Sequence, residues 1–314
     1  MGNKEKNFMS AVIYVHNAEK RIDEFLKTVV YVMEENFEHS EIICVNDCSN
    51  DESVEHIKKI SMQAKSASIS VLNMSYYHGL EMAMNAGVDL AIGDFVFEFD
   101  TTVLDFDKSE IMKVYHKSLE GFDIVSASPN RKQRLSSGVF YHVFERFTNL
   151  PHKLYTETFR ILSRRVINRI SSMNKTVPYR KAIYANCGLK TENIVYNIIN
   201  VNKDIASSDR SEKGYRGRLA VDSLLLFTEV GYRFSITMTV LMMLMTIFMI
   251  VYSIVIYVMS TPAAGWTTTI LFLSVAFFGL FGVLTIIIKY LQILLDLVFK
   301  RKRYSFESIE KLTK

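Results

Sequence analysis

The sequence predicts an α/β fold on a mostly parallel sheet, with a two-helix apolar hairpin behind it, and three observations carry that prediction. Over the first 130 residues short β-branched runs alternate with longer stretches of helical periodicity, the pattern of a sheet with crossover helices. Small polar residues follow the first two strand-like runs, at His16-Asn17-Ala18-Glu19 and Asn46-Asp47-Cys48-Ser49-Asn50-Asp51. Finally, no charged residue occurs from Ser235 to Ile288.

Strands are predicted at Met9–Val15, Glu41–Val45, Ile69–Leu72, Phe95–Phe99 and Asp123–Ala127, each an apolar run bounded by polar or turn-forming residues. Helices are predicted between them at Ala18–Glu35, Glu52–Ala64, Leu80–Ile92 and Lys108–Leu119. In the third, Leu80, Ala83, Met84, Gly87, Val88 and Ala91 recur at spacings of three and four and form one apolar stripe. Within 174–206 the run from Glu192 to Ile198 reads as one or two further strands. The tail from Arg303 to Lys314 reads as a short amphipathic helix or strand.

A bilayer crossing takes about 20 apolar residues, so the uncharged stretch suits two spans. Pro262 and Gly265 break it, and Trp266 suits an interface, which places the spans at 235–259 and 267–290. Arg216, Arg218 and Arg233 precede the first span, and Lys289, Lys300, Arg301, Lys302 and Arg303 follow the second, while the connecting turn has no basic residue. Both termini and the sheet domain are therefore expected on the cytoplasmic side of a multi-pass membrane protein. The implied organisation is a domain at 1–210, an amphipathic juxtamembrane segment at 211–233, the hairpin at 234–299 and a basic tail at 300–314. Val139, Phe140, Val143, Phe144 and Phe147, and again Leu219, Leu224, Leu225 and Phe227, recur at helical spacing and suit interfacial helices or packing on the sheet. The spans allow a homo-oligomer, with Gly279 and Gly282 as the small residues available for close helix contact.

Composition narrows the function classes. A formal net charge of +4 without interleaved basic and aromatic residues speaks for phosphate or anionic lipid and against nucleic acid. The chain opens without an apolar leader of signal-peptide length, and Cys44, Cys48 and Cys187 fit no zinc spacing, so reduced, ordinary cysteines are expected.

Open α/β sheets bind ligands at the carboxyl ends of their strands, so the residues just after each strand matter most. Asn17 and Ser49 or Asp51 there can hold a ribose or a base, or can simply cap the helices that follow. The runs Val12 to Glu19, Val45 to Asp51, Gly79 to Gly87 and Gly93-Asp94 through Asp100 resemble family 2 glycosyltransferases of the GT-A fold. Thr158-Phe159-Arg160-Ile161-Leu162-Ser163-Arg164-Arg165 is similar to a segment of the polyprenyl-phosphate sugar transferases within that family, the dolichyl-phosphate mannose synthase-like and bactoprenol glucosyltransferase-like group, which often end in a transmembrane hairpin.

The resemblance implies a GT-A, Rossmann-like nucleotide-sugar domain, with the donor held by Tyr14, Asn17, Glu19, Asp47 and Ser49 and with Asp47 near the base. It sets Asp100 at the first carboxylate of the family's Asp-x-Asp motif, which holds Mg²⁺ or Mn²⁺ on the diphosphate. This sequence reads Asp100-Thr101-Thr102, so the second carboxylate is missing, and Tyr14 and Tyr76-Tyr77 also depart from the family pattern. A hard cation favours carboxylate oxygens. Four readings stand: Asp100 binds metal with diphosphate and water; Glu98, Asp105 or Asp107 lends a carboxylate; metal is dispensable; or catalysis is lost.

The reaction implied is inverting transfer of a glycosyl group from a nucleotide-diphosphate sugar to a polyprenyl phosphate at the cytoplasmic face, with Asp100 and Arg160 as catalytic residues. The acceptor is ionised near neutral pH and needs positioning beside an anionic donor, so Arg131, Arg134, Arg160 and Arg210 are the candidates for its phosphate. Arg164 and Arg165 are expected on the exposed side of a following helix. The alternative is a pseudo-glycosyltransferase serving as a membrane-bound binding or scaffold partner.

Overall fold

The computed structural model describes residues 4–130, 157–172, 180–199 and 304–313, with scattered helical positions between 237 and 294. The chain divides into two compact units, one holding the sheet and the last residues of the chain, the other the apolar segment.

In chain order the first unit contains β1 (Met9–Val15), α1 (Ile22–Asn36), β2 (Ser40–Asn46), α2 (Ser53–Ser61), β3 (Ser68–Met74), α3 (Leu80–Leu90), β4 (Phe95–Phe99), α4 (Ser109–Leu119) and β5 (Ile124–Pro129). These are followed by β6 (Phe159–Ser163), α5 (Arg164–Ser172), α6 (Arg180–Asn186), β7 (Thr191–Tyr196) and β8 (Phe306–Lys311). All eight strands join one sheet in the order β7-β5-β6-β4-β1-β2-β3-β8. Pairing is parallel except at β6, which runs against β4 and β5, and at β8, which runs against β3.

The five predicted strands and four predicted helices are present, and the differences lie at their ends. Helix α1 starts at Ile22 rather than near Ala18: residues 18–21 form a turn in which the Ala18 carbonyl accepts from the N–H groups of both Arg21 and Ile22, while the Ala18 and Glu19 N–H groups are held by Ser53 and Asp51. The strand read between Glu192 and Ile198 is β7, and the C-terminal tail, open between helix and strand, is strand β8 at the sheet edge.

Alternation along β1 explains the layers. Met9, Ala11, Ile13 and Val15 face a core with α1, α2 and α4, whereas Val12 and Tyr14 face a second core with α3, α5 and Tyr184 of α6. Gly87 lets α3 lie directly on the sheet, since a Cβ there would overlap Val12 Cγ1 and Val45 Cγ2. The strand order turns back at β1, between β2 and β4, which is where an open α/β sheet leaves a crevice at its carboxyl edge.

The second unit is described only at helical positions within 237–248 and 269–294. Gly279 lies against Met242 of the other helical segment, so this glycine serves a contact within the chain. Among the described residues no helix is long and apolar enough to cross a membrane, and most of the predicted spans at 235–259 and 267–290 lies outside the described residues.

Candidate active site

The carboxyl ends of β1 and β2 carry two loops that fasten each other. Asn17 adopts a positive φ of 45°, its N–H donates to Ser49 Oγ at 3.1 Å, and its Oδ1 accepts from the Asn50 N–H at 2.9 Å. Ala18 N–H donates to Ser53 Oγ at 2.8 Å, Glu19 N–H to Asp51 Oδ2 at 3.0 Å, and the Glu52 N–H to Glu19 Oε2 at 3.4 Å. Asp51 also caps α2 through Ser53. Its partial burial would raise its pKa, yet the Ser53 hydroxyl and the backbone N–H groups on its carboxylate hold it below the usual range. Capping and loop shaping are thus both real tasks here, and Asn17, Glu19 and Ser49 stand together on one rim.

Asp47 is fully buried. Its Oδ1 accepts from the His78 N–H at 2.7 Å, and its Oδ2 from the Gly79 N–H at 2.8 Å and the Tyr14 hydroxyl at 3.0 Å. Gly79, at φ 83°, makes the turn into α3. The resemblance sets Asp47 and Tyr14 against the nucleoside; in the structure both are buried, and the Asp47 carboxylate accepts from Tyr14 and from the turn at 78–79.

Beyond β4 lies a dense ionic cluster. Glu98 in β4 and Asp100 just past its end are two residues apart, and Arg160 on antiparallel β6 stands opposite Glu98. Arg160 bonds Glu157 through Nε at 2.6 Å, Glu98 through Nη1 at 2.5 Å and Asp100 through Nη2 at 2.5 Å. Arg180, from α6, bonds Glu81 at 3.0 Å, Glu98 at 2.8 Å and Asp100 at 2.7 Å. Tyr184 donates to Glu98 at 2.7 Å, and its ring lies beneath the Arg160 guanidinium. Burial alone would push Asp100 up, but the guanidiniums of Arg160 and Arg180 hold it well below the carboxylate range. The same pairing outweighs burial at both arginines and keeps them charged.

Arg160 was placed at the acceptor phosphate by the sequence. It is 0% exposed and all its nitrogens point at carboxylates, so its reach is to Asp100 and not to a free anion. Arg164 is also corrected: it is half-buried and donates to the carbonyls of Gly93 and Ala91, tying α5 to the start of β4, whereas Arg165 is exposed as expected. Arg131, Arg134 and Arg210 lie outside the described residues. Arg180 was missed, because a single arginine after Pro178-Tyr179 carries no motif and only the fold brings it to Glu98.

For a divalent cation the described donors do not fit. Both oxygens of Asp100 are engaged by guanidiniums, Thr102 is buried, and Glu98 is wholly spent on Arg160, Arg180 and Tyr184. Asp107 binds the first N–H of α4, and Asp105 accepts from Tyr196. No cluster of three or more candidate ligands occurs among the described residues. The cysteines are free, and burial pushes the Cys44 thiol up to about 12, which makes it unreactive.

With this geometry in hand, comparison with known proteins is decisive at one level: the profile of glycosyl transferase family 2 matches residues 10–171. The chain belongs to glycosyl transferase family 2. Among curated relatives, an uncharacterized glycosyltransferase of Synechocystis is 28% identical over 195 residues, 60% of this chain and 60% of the relative. A prophage bactoprenol glucosyl transferase homolog of Escherichia coli is 26% identical over 232 residues, 72% of this chain and 74% of the relative. An undecaprenyl-phosphate 4-deoxy-4-formamido-L-arabinose transferase of Aeromonas hydrophila is 28% identical over 133 residues, 42% of this chain and 40% of the relative. The chain spans about 60% of the length of the Synechocystis relative and 59% of an uncharacterized Bacillus subtilis glycosyltransferase. Among solved structures, a Pyrobaculum calidifontis mannosyltransferase in complex with GDP-Man and Mn²⁺ aligns at TM-score 0.48 and 14% identity, over 70% of this chain and 63% of that one. In this family 2 glycosyltransferase Asp100, just past the end of β4, is held by the guanidiniums of Arg160 and Arg180.

Proposed function

We propose that this family 2 glycosyltransferase moves a glycosyl group from a nucleotide-diphosphate sugar to a polyprenyl phosphate at the cytoplasmic face of a membrane, with inversion. The observation that carries the reading is the joining, at one sheet edge, of the polar β1 and β2 loops and the Asp100 cluster, on either side of the point where the strand order turns back. The bactoprenol and undecaprenyl-phosphate names of the relatives support the acceptor class.

Chain connectivity supports the hairpin. The sheet domain precedes the apolar stretch, and β8, which follows it, pairs with β3 of the same sheet, so the chain has to come back to the side it left. Two crossings satisfy that condition and one does not.

The acceptor oxygen attacks the anomeric carbon from the face opposite the leaving group. The new C–O bond forms as the bond to the diphosphate breaks, and the nucleoside diphosphate leaves with the electron pair. Little proton transfer is needed, since the acceptor is already ionised. The protein's work is to bring two anions together, exclude water and hold Asp100 rigid. Arg160 and Arg180 do the last of these by locking both of its oxygens. The second reading, a pseudo-glycosyltransferase, is favoured by that same locking together with Thr102.

The test is to incubate the detergent-purified protein with polyprenyl phosphate and UDP-, GDP- and dTDP-sugars, with Mg²⁺, Mn²⁺ or EDTA, and to measure glycolipid. Product with one donor is expected. Nucleotide binding without product from any donor would replace the transferase reading with the pseudo-glycosyltransferase.

A further inference from the structure

Strand β8 does more than close the sheet edge. Asn73 of β3 donates through Nδ2 to Ser308 Oγ at 3.1 Å and to Glu310 Oε1 at 2.9 Å, and its Oδ1 accepts from Asn46 Nδ2 at 2.9 Å. Asn46 in turn accepts from the Ser49 N–H at 3.1 Å, and Ser49 Oγ accepts from the Asn17 N–H. An unbroken polar chain therefore runs from β8, through Asn73 and Asn46, to both rim loops. The β-ladder is irregular between Asn73 and Met74, so this residue sits where the pairing shifts.

A second connection starts one residue before the strand. The Ser305 N–H donates to His78 Nε2 at 3.1 Å, while His78 Nδ1 meets the Tyr76 carbonyl at 2.5 Å. With a donor at Nε2 and a carbonyl at Nδ1, both ring nitrogens are engaged. The N–H of the same His78 is held by Asp47, and its ring stacks on Tyr76 with centroids 4.0 Å apart. Ser75 N–H donates to the Ser305 carbonyl, and the Tyr304 hydroxyl donates to Asp89. The turn at 76–79, which leads into α3, is thus clamped between Asp47 on one side and the chain's tail on the other.

We propose that residues 304–313 form a positioning wall of the nucleotide pocket, with Asn73 and His78 as the positioning residues that transmit it. This rests on the nucleotide-sugar reading above. Its consequence is that the donor pocket is completed only by the part of the chain that follows the apolar segment, so that donor affinity depends on the tail. Neither Asn73 nor Ser305 is assigned a contact with substrate; each acts through the loop that it holds.

The 314-residue protein in detergent is titrated with UDP, GDP and dTDP, and its melting temperature is recorded in parallel. Asn73→Ala cuts the first connection, and Ser305→Pro, just before the edge strand, removes the N–H given to His78 together with the hydroxyl at 3.2 Å from Ser75 Oγ, which Ser305→Ala removes alone. Ile309→Ala, on β8 but outside both connections, is the control for simple loss of strand stability. For whichever nucleotide the unaltered protein binds, Asn73→Ala is expected to raise Kd about ten-fold and Ser305→Pro about five-fold, the loss of one or two polar links. Ile309→Ala, which takes an exposed β-branched side chain out of the strand, is expected to lower the melting temperature slightly with Kd within about two-fold. Unchanged Kd in the first two variants overturns the proposal, as does an equal rise in the control. No binding of any of the three nucleotides by the unaltered protein overturns the nucleotide-sugar reading itself, and the proposal with it.

Discussion

Glu98→Gln is the sharpest probe of the ionic cluster, because it keeps shape and removes one charge. Glu98 is fully buried, and its two oxygens accept from Arg160 at 2.5 Å, Arg180 at 2.8 Å and Tyr184 at 2.7 Å. A glutamine can keep its single oxygen toward Arg180 and Tyr184, but its NH₂ then faces Arg160 Nη1, donor against donor. Breaking a buried, hydrogen-bonded ion pair by removing one partner costs about 3–5 kcal/mol, against a whole-domain stability of about 5–15 kcal/mol. For a domain of this size each kcal/mol moves Tm by about 2–4 °C, so the expected drop is about 6–20 °C. The assay is a thermal melt followed by circular dichroism in detergent. Glu55→Gln is the reference: its pair with Lys58 is largely exposed, and its loss should change stability by less than about 0.5 kcal/mol. A drop for Glu98→Gln no larger than that of Glu55→Gln would refute the view that the cluster is a tightly coupled buried unit.

Two further outcomes are expected. Gly87→Ala should destabilise the domain by about 1–3 kcal/mol despite the better helix propensity of alanine, because the new Cβ overlaps Val12 and Val45; a urea midpoint unchanged or raised would contradict that packing. Asp100 has a depressed folded-state pKa, so its share of stability is fully present above the ordinary carboxylate value of about 4 and fades as pH falls below it. Acid titration of the melt should therefore show a steeper fall below about pH 4 in the unaltered protein than in Asp100→Asn, and parallel curves would refute the pairing.

The scaffold was legible because its signals are local. Strands β1 and β4 appear at the bounds that their apolar runs imply, and α3 appears where Leu80, Ala83, Met84, Gly87 and Val88 set a helical stripe. The positions of Asp100 and of the rim residues Asn17, Glu19 and Ser49 were legible for the same reason, since they lie just past strand ends. Arg160 was found by its motif, but its task was not, because a motif does not say whether a guanidinium faces solvent or a neighbouring carboxylate. The direction of Asp47 is a similar case: its backbone partners at 78–79 lie 31 residues away or more.

By itself, then, the sequence determined the α/β class, the family and the position of Asp100 directly after a strand. Each of these depends on residue type and short spacing, which periodicity and side-chain chemistry expose. Only the tertiary structure decided that Arg180 completes the cluster, that Arg160 is buried against Glu98 and Asp100, and that the tail becomes strand β8 beside β3. Those depend on contacts between residues tens to hundreds of positions apart, and charge and polar complementarity across such distances leaves no pattern along the chain until the sheet has formed.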